Sequence, residues 1–135
     1  MFKIVKLLNA RANVPETVAI PVTASTVYPE GCAVKLSSGA AVHCAATDAP
    51  KYIVAAAANA ATDSVVLCYP LLGDAIVETA VSAAPTSLKI GDKVTLNVNA
   101  SSVAVGVTAT TTSGVAEIYD LVGAAASGDK LLLKM

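Results

Sequence analysis

The side chains that could do chemistry are few and scattered. There is one histidine, His43, and there are three cysteines, Cys32, Cys44 and Cys68. Nucleophilic or acid–base catalysis needs a reacting group, a proton acceptor and an orienting partner within reach of one another. His43 has no second histidine to complete a metal set, and a single imidazole on a strand reads as structural. The cysteines form no CxxC pair, and their odd number suits a reducing compartment better than a disulfide framework. Cys32 and Cys44 are expected as cross-strand neighbours, as small buried hydrophobes rather than an oxidised pair. Cys68, within SVVLCYP, reads as core filling. The carboxylates are dispersed. Gly91-Asp92-Lys93 and Gly128-Asp129-Lys130 both precede apolar residues, but a phosphate loop needs more glycines and a following helix, so both read as turns leading into strands. Tyr28, Tyr52, Tyr69 and Tyr119 are too sparse for a base-stacking platform. The sequence therefore offers no catalytic residue, no metal set and no cofactor site.

The elements that must position these residues are short strands. Residues 31–44, GCAVKLSSGAAVHC, read as a β-hairpin around which the chain is organised. A three-residue loop at Ser37-Ser38-Gly39 pairs Leu36 with Ala40, Val34 with Val42 and Cys32 with Cys44, all on one face. A two-residue loop at Ser38-Gly39 sets Val34 opposite His43, a poorer match. The frame recurs at Gly91-Asp92-Lys93-Val94-Thr95-Leu96, where Val103, Val105 and Val107 are expected to face Val98, Leu96 and Val94 across a four-residue loop. Further strands are expected over residues 2–8, 51–56, 64–69, 75–81, 115–122 and 130–135. Residues 9–15 read as a polar break, and 55–61 as a loop with one helical turn. Residues 16–24 are extended, and Pro21, which cannot donate to a ladder, makes them an edge strand or a docking arm. About ten short strands with frequent turn signals indicate an all-β fold, a small antiparallel β-sandwich or barrel built around two similar hairpins. Residues 1–24 form its extended N-terminal arm or edge strands, and 25–135 a single β-domain.

Composition narrows the function classes. Hydrophobic residues make up 55% of the chain but aromatics only 4%, so the core must be thin layers of Ala and Val. Charged residues are 14%, well below the usual quarter, and burial against other chains would account for so few. A net charge of −1 gives no electrostatic case for nucleic acid. No stretch is long and apolar enough to span a membrane as a helix, and no targeting segment is visible.

The run EGCAVKLSSGAAVHCA, then TDAP, KYIVAAAA and SVVLCYP, followed by GD, resembles the small head-decoration (capsid cement) proteins of tailed bacteriophages. The likeness, of rhythm and composition, covers roughly residues 30–96. It departs from the family where Ile53 replaces a glycine before Val54-Ala55. The resemblance implies a structural virion protein, not an enzyme, made in the host cytoplasm and bound to the capsid exterior. Its partners would be the major capsid protein and further copies of itself, with a trimer favoured. Rival readings are a small β-barrel binding or co-chaperonin-like module, suggested by LKIGDKVTL, and a phage tail or baseplate subunit. The expected contact surface is apolar and N-terminal: Phe2, Ile4, Val5, Leu7, Leu8, Val18, Ile20 and Val22. The alternative is that these residues add ordinary strands to the chain's own domain.

Overall fold

The computed structural model describes residues 1–9 and 14–135, and every helix or strand among them is a strand. In chain order these are β1 (Lys3–Leu7), β2 (Val18–Pro21), β3 (Val27–Tyr28), β4 (Ala33–Ser37), β5 (Ala40–His43), β6 (Tyr52–Val54), β7 (Ala58–Asn59), β8 (Val65–Pro70), β9 (Ala75–Ala80), β10 (Lys93–Val94), β11 (Leu96–Val98), β12 (Ala104–Val107), β13 (Ala116–Asp120) and β14 (Lys130–Lys134). The polar break expected over residues 9–15 lies in part outside the described residues. The alanine-rich 55–61 stretch makes no helical turn. It holds β7, which pairs with β3 in a two-stranded ribbon, because so short a run cannot offset the cost of nucleating a helix.

The strands form a small antiparallel β-sandwich. One sheet has five strands in the order β1-β9-β14-β13-β10; the other runs β11-β12-β4-β6-β8-β2, with β5 beside β4. Between them lies the first core, where Phe2, Ile4, Val77, Ile118, Leu131 and Leu133 meet Ala33, Ile53, Leu96 and Val107. The two sheets are joined at Val81 and Val107, which form a parallel bridge. Gly106 fits there because a Cβ on it would sit 2.7 Å from the Ala80 carbonyl oxygen. The larger sheet also curls. Its β2 edge returns toward β5 through one parallel bridge, Val22 to Ala41, which stops short of closing a barrel. Inside the curl lies a second core that includes Ile20, Val34, Ala41, Val54 and Val66. Tyr28 plugs it, fully buried. Its hydroxyl accepts from the Thr23 N–H at 2.8 Å and donates to the Ala41 carbonyl at 2.7 Å.

Two registers differ from the sequence expectation. In the first hairpin the loop is two residues long: Ser37 pairs with Ala40, Leu36 with Ala41, Lys35 with Val42 and Val34 with His43. Ser38 and Gly39 both have positive φ, +49° and +81°. Such a turn matches the right-handed twist of its strands, and glycine takes the second position without steric cost. The one-residue slip sends Cys44 to the other side of the sheet from Cys32, so Cys44 joins the first core and Cys32 the second. In the second hairpin Leu96 pairs with Val107 and Val98 with Ala104, with a bulge between, while Lys93 and Val94 leave the hairpin to pair with Glu117 and Ala116. The two hairpins share the larger sheet, but the sixty-residue repeat of frame does not extend to their pairing. β1 also departs from even alternation: a bulge between Ile4 and Lys6 leaves Lys3 and Lys6 exposed, so that face is not covered.

Candidate functional site

His43 sits at the mouth of the curled sheet. Its ring centroid is 5.3 Å from that of Tyr28, and its Nε2 lies 3.0 Å from the Val27 carbonyl oxygen. A carbonyl only accepts, so Nε2 carries a proton. Nδ1 faces the Cys32 sulfur at 4.0 Å. This is a Cys–His pair, but not one poised for nucleophilic attack. Cys32 is fully buried, and burial pushes its thiol up to about 12, whereas a nucleophilic cysteine is held as the thiolate near neutral pH. Burial likewise raises Cys44 to about 12 and Cys68 to about 11. All three are free thiols. Among the described residues no three His, Cys, Asp or Glu side chains converge to hold a metal ion.

The aspartates are occupied as loop ties. Asp48 accepts from the Ala45 N–H, Asp63 from Asn59, Asp92 from Lys89, Asp120 from Val122, and Asp129 from both Ala125 and Ala126. Five of the six aspartates in the chain thus fix turns, as short acidic side chains do beside free backbone donors. The two Gly-Asp-Lys turns do lead into β10 and β14. Asp48 also takes a 2.7 Å ion pair from Lys35, and that bond holds its carboxyl below the ordinary value.

What remains is surface, and it is divided by chemistry. The outer face of the five-stranded sheet carries Lys3, Lys6, Glu78, Lys93, Glu117, Asp120, Lys130 and Lys134, eight of the nineteen formal charges (nine Lys and Arg, ten Asp and Glu). Ile76 on this face is fully buried, flanked in register by Lys6 and Lys134. The Lys6 ammonium reaches over the Tyr119 ring, 5.4 Å from its centroid, so lysine stems roof an apolar side chain. On the other sheet, Ala19 pairs with Leu67 and Pro21 with Val65. All four are exposed, Leu67 by 43% and Val65 by 42%. They continue the face that bears Ile53 and Tyr69 beyond the cover of the five-stranded sheet. This uncharged strip, on an edge pair of strands, is the candidate interface.

The expected N-terminal surface fits this only in part. Phe2 and Ile4 are buried in the first core and Ile20 in the second, so these three are closed to another chain. They are buried because β1 pairs with β9 and β2 with β8 instead of standing free. Val5 and Leu7 are half-buried, as is Val22 against the second core. Leu8 and Val18 are exposed. Val65 and Leu67 were not singled out in the sequence, although the alternation Val65, Leu67, Tyr69 against Val66, Cys68 separates the two faces of β8. Comparison of the chain with models of protein families, with curated proteins and with solved structures finds no match.

Proposed function

We propose that this chain is a structural virion protein that binds the outside of a phage capsid and stabilises the head, with the major capsid protein and further copies of itself, a trimer favoured, as partners. The observation that carries the reading is the uncharged strip of Ala19, Pro21, Val65 and Leu67. Exposed apolar ladders on edge strands are an aggregation hazard unless a partner covers them. The side chains that could react are spent on structure: thiols in the cores and aspartates in the turns. The likeness of residues 30–96 to head-decoration proteins points the same way. The test is cryo-electron microscopy of virions assembled with a tagged copy of the chain. Tag density on the head surface, lost with Leu67→Asp, is expected. Density on the tail would move the reading to a tail or baseplate subunit, and untagged particles throughout would end it.

A further inference from the structure

We infer that copies of this chain associate head to tail, the turn at Val122 of one copy seating in a groove at the β4–β6–β8 end of the next. Two separate observations lead there. The first is the turn. Val122 is β-branched yet held at φ +53°, a conformation that residues of its shape rarely adopt. It is also 61% exposed, and Ile90 on the neighbouring turn is 68% exposed. Gly91 lies against β13, its N–H donating to the Ile118 carbonyl at 2.8 Å, which brings the two turns to the same end of the sheet. A monomer gains nothing from a strained, exposed valine where asparagine or glycine would sit at ease. The Asp120 carboxylate accepts from the Val122 N–H at 2.9 Å through one oxygen, so the turn presents an acidic group beside its apolar tip.

The second observation is the groove, about 570 Å³ and lined in part by Leu36, Lys51, Tyr52, Pro70 and Leu72. Leu72 is 81% exposed and Leu36 45%. Lys35 at its rim is taken by Asp48 at 2.7 Å, whereas Lys51 is exposed and has no ion-pair partner among the described residues. An apolar groove with one spare cation matches an apolar tip with one carboxylate. Both halves lie on every copy and are different surfaces, so the contact is heterologous and propagates to a ring or a chain. The inference rests on the self-association in the proposed function and is independent of the capsid.

The test uses two variants that each keep one half. Val122→Asn removes the tip and relieves the strain; Lys51→Glu reverses the spare charge. Sedimentation velocity of the wild-type chain should show concentration-dependent association, and each variant alone should stay monomeric. Mixed, they should form a one-to-one dimer and nothing larger, since only one productive contact remains. Val122→Asn should also melt a few degrees higher than the wild type. Should Lys51→Glu fail to fold, Leu72→Asp repeats the groove test from a side chain outside both cores. A wild-type chain that stays monomeric at millimolar concentration overturns the inference, as do variants that still self-associate or a mixture that yields no dimer. Capsid binding is scored separately by cosedimentation, so a chain that decorates particles as a monomer sinks this interface and leaves the capsid reading standing.

Discussion

Replacing Tyr28 with phenylalanine removes one oxygen from the plug of the second core. The Ala41 carbonyl receives two hydrogen bonds, from the Tyr28 hydroxyl and from Thr23 Oγ1, each at 2.7 Å. It therefore keeps a partner after the change. The Thr23 N–H does not, because its acceptor is the lost hydroxyl. A stranded donor away from water costs about 1–3 kcal/mol, and the net value of the bond lost to Ala41 adds about 0.5–1 kcal/mol. A total near 2 kcal/mol lowers the melting temperature of a 135-residue chain by roughly 7 °C. Thr23→Val, which leaves Tyr28 bonded to Ala41, should cost only about 0.5 kcal/mol. The double variant strips Ala41 of both donors and should cost more than the two changes added together. Calorimetry on the four proteins gives the cycle. A neutral Tyr28→Phe, or strict additivity, would refute the view that this network seals the curl.

Other expectations follow from the same geometry. The three buried thiols should resist an aromatic disulfide reagent in the native protein and all react in denaturant. Because burial holds their pKa values at about 11 to 12 against an ordinary 9.0, the folded chain keeps protons that the unfolded chain releases above pH 9. Stability is therefore full below that value and lost as pH rises toward 12, as urea titrations at increasing pH should show. The Asp48 carboxyl, lowered by Lys35, and the Asp129 carboxyl, lowered by the Ala125 and Ala126 amides, act in the opposite sense. The unfolded chain protonates these groups first, so their contribution is present above 3.8 and lost as pH falls below it; unfolding midpoints should drop as the pH is taken below about 4. Deleting residues 1–8 removes β1, with Phe2 and Ile4, from the first core; circular dichroism should show an unfolded chain, and a folded truncation would contradict the pairing with β9.

Much of the strand pattern was legible because alternation is local: β4, β8, β9 and β14 lie where their Val, Ile and Leu residues recur. Pairing was less so. The first hairpin turned on whether Val34 tolerates His43, and that depends on Tyr28 and on the Val27 carbonyl, which lie about fifteen residues upstream. Nothing near Phe2 or Ile4 announces that β1 pairs with β9 or that the other sheet covers them. The break at Thr95, where the chain passes from the five-stranded sheet to the other, has no composition signal. The candidate interface was hidden for a related reason: Leu67 and Tyr69 share one face of β8, and only the width of the opposing sheet decides which is covered.

The place of β14 bears on how the protein is made. Lys130–Lys134 is not an edge but the middle strand of its sheet, with β9 on one side and β13 on the other. During synthesis β1 and β9 can meet early, but β13 and β10 have nothing to join them to until residues 130–134 leave the ribosome. Leu131 and Leu133, both fully buried in the finished fold, arrive after the four other strands of this sheet. Assembly of this half of the molecule thus waits for β14, with long loops to close. Meanwhile the nascent chain shows the inner face of Phe2, Ile4 and Val77 to its surroundings, a period in which a ribosome-bound chaperone has a surface to hold.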